Sequence, residues 1–280
     1  MIIQNVLNQA SEKLKKNKIK TSLLDSEILM CKVLDKSREE LILNDQITLN
    51  SSDLQNFNDL IDKRAKGKPI AYLLKKKSFW KYEFIVEEGI LIPRPDTEII
   101  VDEINKIFKN KSNLNILEIG VGSGCILLSV LKENINFRGI GIDLDKKCIN
   151  ICKINAEKLN VINRLKLVKS DVDKFNNGKY DLIISNPPYI RKLDLKYLDK
   201  EVANFEPKLA LDGGLDGTSI ISKVINKSSL LIKKNGKLML EIAFNQTKEV
   251  KKLLKNKGFY INRIVKDFAN NDRCIISTKI

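Results

Sequence analysis

Apolar residues recur at helical spacing early in the chain, at Leu23, Leu24, Ile28, Leu29, Val33 and Leu34. Ser37 followed by Glu40, just before Leu41, Ile42 and Leu43, has the form of a capping box. Ser51 or Ser52 is placed to open a further helix, and Gly67 with Pro69 to close it. The pattern predicts a small helical bundle over residues 1–66. Aromatic and β-branched residues then take over at Tyr72, Phe79, Trp80, Tyr82, Phe84, Ile85 and Val86. With Gly89 after them they predict a strand pair leading into Ile92-Pro93-Arg94-Pro95, where two prolines stiffen the backbone. From about residue 96 strand and helix patterns alternate. The strand candidates are 115–119, 138–142, 165–169, 181–185, 237–242, 259–265 and 273–278, with helical patterns between the first five. This is the signature of an α/β fold with a mostly parallel sheet covered on both faces, closed by a terminal antiparallel pair. The expected division is a helical part over 1–74, a hairpin and linker over 75–95, and the alternating part over 96–280.

Composition narrows the class. Hydrophobic residues make up 43% of the 280, enough for two cores. No apolar run approaches the ~18 residues that span a bilayer. Neither does the first stretch, Met1-Ile2-Ile3-Gln4-Asn5, carry a basic leader, so the expectation is a cytoplasmic protein without membrane contact. The charge of +15 suits phosphate-bearing partners such as RNA, and equally fits a coding bias toward lysine, asparagine and isoleucine. The five cysteines form no Cys-x-x-Cys, and Cys148 with Cys152 lacks a second pair, so buried thiols are expected and no metal site. There is no histidine. Histidine triads, imidazole bases and His-metal centres are thereby excluded.

The apolar run Asn115-Ile116-Leu117-Glu118-Ile119 is followed by Gly120-Val121-Gly122-Ser123-Gly124 and then by a helix-compatible run. Such a loop lets backbone approach a ligand and aims N–H groups at it. The G-x-G-x-G spacing lowers the odds of a dinucleotide. The next strand ends at Asp143, about 20 residues on, where a carboxylate can accept both ribose hydroxyls. A third strand ends at Ser170-Asp171, where a carboxylate can accept an adenine amino group. Three loops at carboxyl strand ends make a candidate nucleoside pocket.

Asp181 to Ser185 is a strand, and Asn186-Pro187-Pro188-Tyr189 follows it directly. An amide or amino-aromatic nitrogen is a poor nucleophile because its lone pair is delocalised. A site that alkylates it must hold the NH2 group and turn the lone pair toward the electrophile. Asn186 offers a side-chain oxygen, Pro187 a carbonyl without a competing N–H, and Tyr189 a ring to flank a planar group.

These residues resemble class I S-adenosylmethionine methyltransferases of the N-methylating branch. The likeness tightens at Arg64-Ala65-Lys66-Gly67-Lys68-Pro69-Ile70-Ala71-Tyr72, Phe79-Trp80 and Leu91-Ile92-Pro93-Arg94-Pro95-Asp96-Thr97-Glu98. It continues at Glu206-Pro207-Lys208-Leu209-Ala210-Leu211-Asp212-Gly213-Gly214-Leu215-Asp216-Gly217 and Asn271-Asp272-Arg273. Together they resemble the protein-(glutamine-N5) methyltransferases of the PrmC/HemK family, which act on peptide chain release factors. The resemblance implies a helical recognition domain, a hairpin, and a Rossmann-like methyltransferase domain. Its implied substrate is the glutamine of a Gly-Gly-Gln motif in class I release factors, with no nucleic acid required.

By the same resemblance Gly120, Val121, Gly122, Ser123, Gly124 and Asp143 would hold S-adenosyl-L-methionine, and Asp171 and Val172 would border the adenine. Asn186 would face both cofactor and substrate, with Pro187, Pro188 and Tyr189 completing the catalytic site and Arg94 and Glu98 contacting substrate. Three other readings stand beside this one. They are a ribosomal-protein glutamine methyltransferase, an adenine-N6 methyltransferase on extruded bases of nucleic acid, and a non-enzymatic RNA- or ribosome-binding module.

Overall fold

The computed structural model describes residues 2–43 and 48–280. The chain forms two units, one of residues up to Lys76 with the returning segment Asp199–Phe205, the other of Lys77–Leu198 with Glu206–Ile280.

The first unit holds α1 (Ile3–Lys16), α2 (Ser22–Leu34), α3 (Arg38–Leu43), α4 (Ser51–Ala65) and α5 (Ile70–Leu74). On α1 the residues Ile3, Val6, Leu7, Ala10 and Leu14 lie on one buried stripe. They pack with Leu29 and Met30 of α2 and with Phe57 and Ile61 of α4. Leu29 lies in this core, whereas Leu23 and Leu24 are exposed, so the apolar run of α2 is only partly its buried face. The capping box forms as expected: Ser37 N–H donates to Glu40, and Glu40 N–H donates to Ser37 Oγ. Asn50, rather than either serine, caps α4 by accepting from Asp53 N–H at 2.8 Å.

Charge is buried here as well. The Arg64 guanidinium donates to Asp25 at 2.7 Å, to the Lys68 carbonyl and to Glu201 of the returning segment at 3.0 Å. Arg64 and Asp25 are both almost wholly buried. Removing one partner strands the other without water.

The second unit opens with a hairpin, β1 (Lys76–Phe79) and β2 (Tyr82–Ile85). Phe79 and Phe84 meet edge to face at 6.1 Å. After it come α6 (Glu98–Ile107), β3 (Leu114–Ile119), α7 (Cys125–Glu133), β4 (Phe137–Asp143), α8 (Lys146–Lys158), β5 (Leu165–Lys169) and β6 (Tyr180–Ser185). The chain continues through α9 (Lys200–Phe205, the returning segment of the first unit), α10 (Ser219–Leu231), β7 (Ile232–Glu241), α11 (Thr247–Asn256), β8 (Phe259–Lys266) and β9 (Asp272–Lys279).

The sheet order is β5-β4-β3-β6-β7-β9-β8. All pairs are parallel except those made by β9. Alternation along the strands sends Ile116, Leu182, Ile184, Met239 and Ile276 to one face, against α6, α7 and α8. Leu117, Ile183, Leu238, Leu240 and Ile275 go to the other, against α10 and α11. Each such side chain contributes about 1.5–3 kcal/mol on burial. The doubly wound fold is therefore the expected one. One connection departs from expectation: β5 and β6 are joined only by a single 3-10 turn, Val172–Lys174. The intervening Asn176-Asn177-Gly178 favours turns over helix.

Arg64→Leu is expected to destabilise the protein by about 3–5 kcal/mol, because Asp25 then stays buried and unpaired. Urea unfolding reads this directly. Adding Asp25→Leu should recover part of the loss, and an unmoved midpoint for the single variant would contradict the ion-pair account.

Candidate active site

The winding of the sheet reverses between β3 and β6, since β4 and β5 lie to one side and β7 to the other. At such a switch point the loops beyond the carboxyl ends diverge and leave a crevice. Loop 120–124 leaves β3 there. The N–H groups of Gly120 and Val121 donate to the Ile142 carbonyl at 2.9 and 3.0 Å, which fastens the loop to the end of β4. Gly120 and Gly122 adopt positive φ, and a side chain built at either would meet nothing within 4 Å. The backbone there borders open space, as a loop must if it is to lie against a ligand.

Asp143 ends β4, and its carboxylate accepts from Gly122 N–H and Asp145 N–H, both at 2.9 Å. Burial pushes its pKa up and these two N–H groups pull against that. Ser170 N–H donates to the Asp143 carbonyl at 2.8 Å, joining the second and third strand ends. Beyond it Asp171 caps the 3-10 turn by accepting from Asp173 N–H at 2.8 Å. Val172 is half-buried against the α10 face of the core. The turn is pinned from α10 by the buried Lys227, whose ammonium donates to the Asp173 carbonyl and to Asn176 Oδ1. The structure thus brings 120–124, Asp143, Asp171 and Val172 to one edge of the sheet.

Asn186-Pro187-Pro188-Tyr189 leaves β6 at the same edge. Ser185 Oγ donates to the Ile119 carbonyl at 2.7 Å, tying the root of the tetrapeptide to the root of the glycine loop. Asn186 Nδ2 donates to Thr97 Oγ1 at 3.2 Å, and Thr97 Oγ1 donates to Glu241 Oε2 at 2.6 Å. The Tyr189 hydroxyl donates to Glu241 Oε1 at 3.3 Å. Glu241, at the end of β7, is 1% exposed. Burial pushes its pKa up to about 7, against the hydrogen bonds from Thr97 and Tyr189 and the charge of Arg273. Arg273 pairs in turn with Asp96 at 3.3 Å and Asp267 at 2.8 Å. Burial also pushes the Tyr189 phenol well up, so it stays protonated.

Arg94 and Glu98 have partners inside the second unit. Arg94 donates to Glu206, which also receives Ile92 N–H. Glu98 accepts Trp80 N–H at 2.9 Å. Trp80 stands at φ +56 in the two-residue turn of the hairpin, a strained conformation for a bulky residue. Glu98 holds that turn.

A separate depression, lined by Asn115, Arg138, Arg164, Lys166 and Tyr180 among others, lies at the amino ends of the strands. Ligands of open α/β sheets bind at the opposite ends.

Four residues central to this geometry did not emerge from sequence reasoning as site residues. Glu118, 1% exposed, accepts Leu127 N–H and so caps α7, whose own cap residue is glycine. Asn155, fully buried, brackets both backbone groups of Ile85 and donates to the Ser123 carbonyl, joining hairpin to glycine loop. Thr97 lies inside the run from Leu91 to Glu98 and carries no local pattern of its own. Glu241 ends β7 but lies inside the strand candidate 237–242, so the strand-end sign that singled out Asp143 did not reach it.

Residues 5–74 match the family described as the PrmC N-terminal domain, and residues 96–267 the methyltransferase small domain. A methyltransferase from Pyrococcus furiosus superposes with a TM-score of 0.55 at 19% identity, over 80% of this chain and 100% of that one. Fold and matched regions define the class: a doubly wound methyltransferase fold preceded by a PrmC-type helical region. A release factor glutamine methyltransferase of Clostridium acetobutylicum is 34% identical over 100% of this chain and 99% of its own. The chain belongs to the release factor glutamine methyltransferase family. It is also 36% identical to a bifunctional methyltransferase of Rickettsia typhi, over 98% of this chain, but spans only 56% of that longer protein.

The run from Asp212 to Gly217 acquires a structural reason. Gly213 N–H donates to the Ile190 carbonyl, and Gln246 Nε2 bridges the carbonyls of Tyr189 and Gly217 at 3.0 Å each. A Cβ on Gly213 would lie 2.7 Å from the Gly217 oxygen and 2.8 Å from the Tyr189 Cα. Both are backbone atoms and cannot swing aside. Gly213→Ala is therefore expected to cost about 1–3 kcal/mol of stability by overpacking, read by urea unfolding. An unchanged midpoint would show that Tyr189 is not clamped by this loop.

Proposed function

We propose that this protein transfers a methyl group from S-adenosylmethionine to the side-chain amide nitrogen of the glutamine in the Gly-Gly-Gln motif of class I peptide chain release factors. The observation that supports this most is the root-to-root fastening of Asn186-Pro187-Pro188-Tyr189 and the glycine loop across the switch point. It sets an amide-gripping tetrapeptide beside a nucleoside-type crevice. Full-length identity to release factor glutamine methyltransferases points to the same acceptor.

The residues fit the methyl donor: open space over Gly120 and Gly122, and a buried carboxylate at Asp143 held in place by two backbone N–H groups. Gly120, Val121, Gly122, Ser123, Gly124 and Asp143 would hold it, with Asp171 and Val172 beside its adenine. When bound it supplies a methyl carbon made electrophilic by an adjacent sulfonium. The chain's own residues do the rest by orientation. Asn186 Oδ1 and the Pro187 carbonyl accept from the two hydrogens of the substrate NH2, which holds that group and turns its nitrogen lone pair toward the electrophile. Pro187 has no N–H to compete. Tyr189 flanks the planar amide. The alkylated nitrogen is acidic enough to lose its proton to water, so no strong base is needed, and the chain has no histidine to offer. Positioning of this kind can supply ~7–11 kcal/mol of the barrier.

In the same reading residues 1–74 recognise the release factor, 75–95 link, and 96–280 catalyse. The acceptor is a protein, so nucleic acid is not required. No helix among the described residues is long and apolar enough to cross a membrane. We place the protein in the cytoplasm, where translation terminates.

Incubation of a class I release factor with enzyme and S-adenosylmethionine should add one methyl to its Gly-Gly-Gln, seen by mass spectrometry. Label found instead in a ribosomal protein or in nucleic acid would redirect the assignment. Asn186→Ala should nearly abolish turnover, and undiminished turnover would remove Asn186 from the mechanism. Asp143→Ala should weaken cofactor binding by ~1–3 kcal/mol, the range for hydrogen bonds to a charged group. Calorimetry giving unchanged affinity would refute that role.

A further inference from the structure

A carboxamide has a donor end and an acceptor end of the same size, and a site that uses only one must have a means of telling them apart. The means lies in the chain Asn186–Thr97–Glu241. An ionised carboxylate only accepts. Thr97 has one hydroxyl hydrogen, and at 2.6 Å from Glu241 Oε2 that hydrogen is committed to the carboxylate. Toward Asn186 Thr97 can then only accept. The amide must present Nδ2 to it, at 3.2 Å, and Oδ1 is turned away from Thr97. Thr97 is 2% exposed and Glu241 1%, so water has little access to rewrite this order. The other oxygen of Glu241 takes the Tyr189 hydroxyl, so one carboxylate anchors both ends of the tetrapeptide.

We propose that Glu241, acting through Thr97, sets the donor–acceptor polarity of the Asn186 carboxamide, and thereby selects a substrate that offers an NH2 group. Both are positioning residues. The inference rests on the reading of the site as an amide N-methylating one.

Its consequence is a dependence on protonation. A protonated Glu241 can donate to Thr97. Thr97 can then pass its hydrogen to Asn186 Oδ1, and the amide turns over to offer Nδ2 to the substrate. Donor then meets donor. The charges facing Glu241 are Arg273, which favours its ionised form, and Asp96, which opposes it. The thiols of Cys125 and Cys274 are also near, both held protonated by burial. Arg273 is held charged by Asp267, and Tyr189 stays protonated, so Glu241 is the member of the network that changes state near neutrality, at about 7.

The test is steady-state methylation of a class I release factor from about pH 5.5 to about pH 9, with cofactor affinity followed by calorimetry. For the wild type, kcat should fall as pH drops below about 7 while KM stays within about threefold. Thr97→Val, which keeps the shape and removes the hydroxyl, should lower kcat about 10- to 100-fold at high pH, abolish the acid limb and leave cofactor affinity unchanged. Thr97→Ser should restore most of kcat together with the limb, which a purely structural role for Thr97 would not require. Glu241→Gln should give a lowered kcat without the limb. Wild-type kcat and an intact limb in Thr97→Val overturn the inference while methyl transfer stands. Should Thr97→Val lose cofactor binding through misfolding, the Glu241→Gln profile decides, and a retained limb overturns it. A wild type that methylates no release factor at any pH overturns the amide reading and this inference with it.

Discussion

Two neighbouring parallel strands whose onward connections lead away in opposite directions must part at their carboxyl ends, and β3 and β6 are that pair. The two departing segments are thereby brought face to face, with Gly120 exposed and Gly122 and Asn186 half-buried. The glycine loop leaves β3 and the Asn-Pro-Pro-Tyr run leaves β6, joined at their roots by the Ser185 hydroxyl on the Ile119 carbonyl. In the reading proposed above, methyl donor and acceptor amide meet at this seam. Elsewhere on the sheet α6, α7, α8, α10 and α11 cover the faces.

Placing a seam does not hold its walls in register. Val121 and Tyr189 give these loops apolar contacts with the two cores, and polar groups from the packed elements fix the rest of their backbone. Asn155 on α8 clamps the Ser123 carbonyl and the edge of β2, Lys227 on α10 clamps the turn after β5, and Gln246 clamps the Tyr189 carbonyl. Each is buried, and a buried polar group without partners is costly. The same cost that forces these side chains to find partners makes the loop conformation unique. Rigidity at the seam is a by-product of satisfying hydrogen bonds beneath it.

That distinction also explains how much of the molecule is legible in its sequence. The strands are legible because residues such as Ile116 and Leu117 alternate between two apolar faces, and both faces are covered. Gly120 to Gly124 and Asp143 are legible because a strand end followed by glycine or acid is a local pattern. Glu241 does not stand out, since the apolar pattern runs one residue past it to Ile242 and its partners, Thr97 and Tyr189, are 144 and 52 residues away. Glu98 stands out through the proline-flanked run that contains it, but the bond its Oε1 accepts from the Trp80 backbone N–H has no local sign, because it arises from a hairpin turn that puts a tryptophan at positive φ. Leu23 and Leu24 fit the helical period but face outward, because Leu29 and Met30 on the same helix already fill the contact with α1 and α4. Periodicity reports which faces could be buried, and packing decides which of them are.

Four runs far apart in the chain supply Asp96 and Thr97, Asn186 and Tyr189, Glu241, and Arg273. Family resemblance groups most of these runs without giving the reason they belong together. The common cause is one carboxylate removed from water. Glu241 needs donors, which Thr97 and Tyr189 provide, and it needs a cation to stay ionised near neutrality, which Arg273 provides. Arg273 needs counter-charges to remain where it is, which Asp96 and Asp267 provide. Loss of Thr97 or Tyr189 takes a donor from the buried carboxylate, and loss of Glu241 leaves the Thr97 hydroxyl beside Asn186 without its acceptor. The runs therefore form one electrostatic unit, whose hydrogen bonds end on the two outer residues of the tetrapeptide, Asn186 and Tyr189.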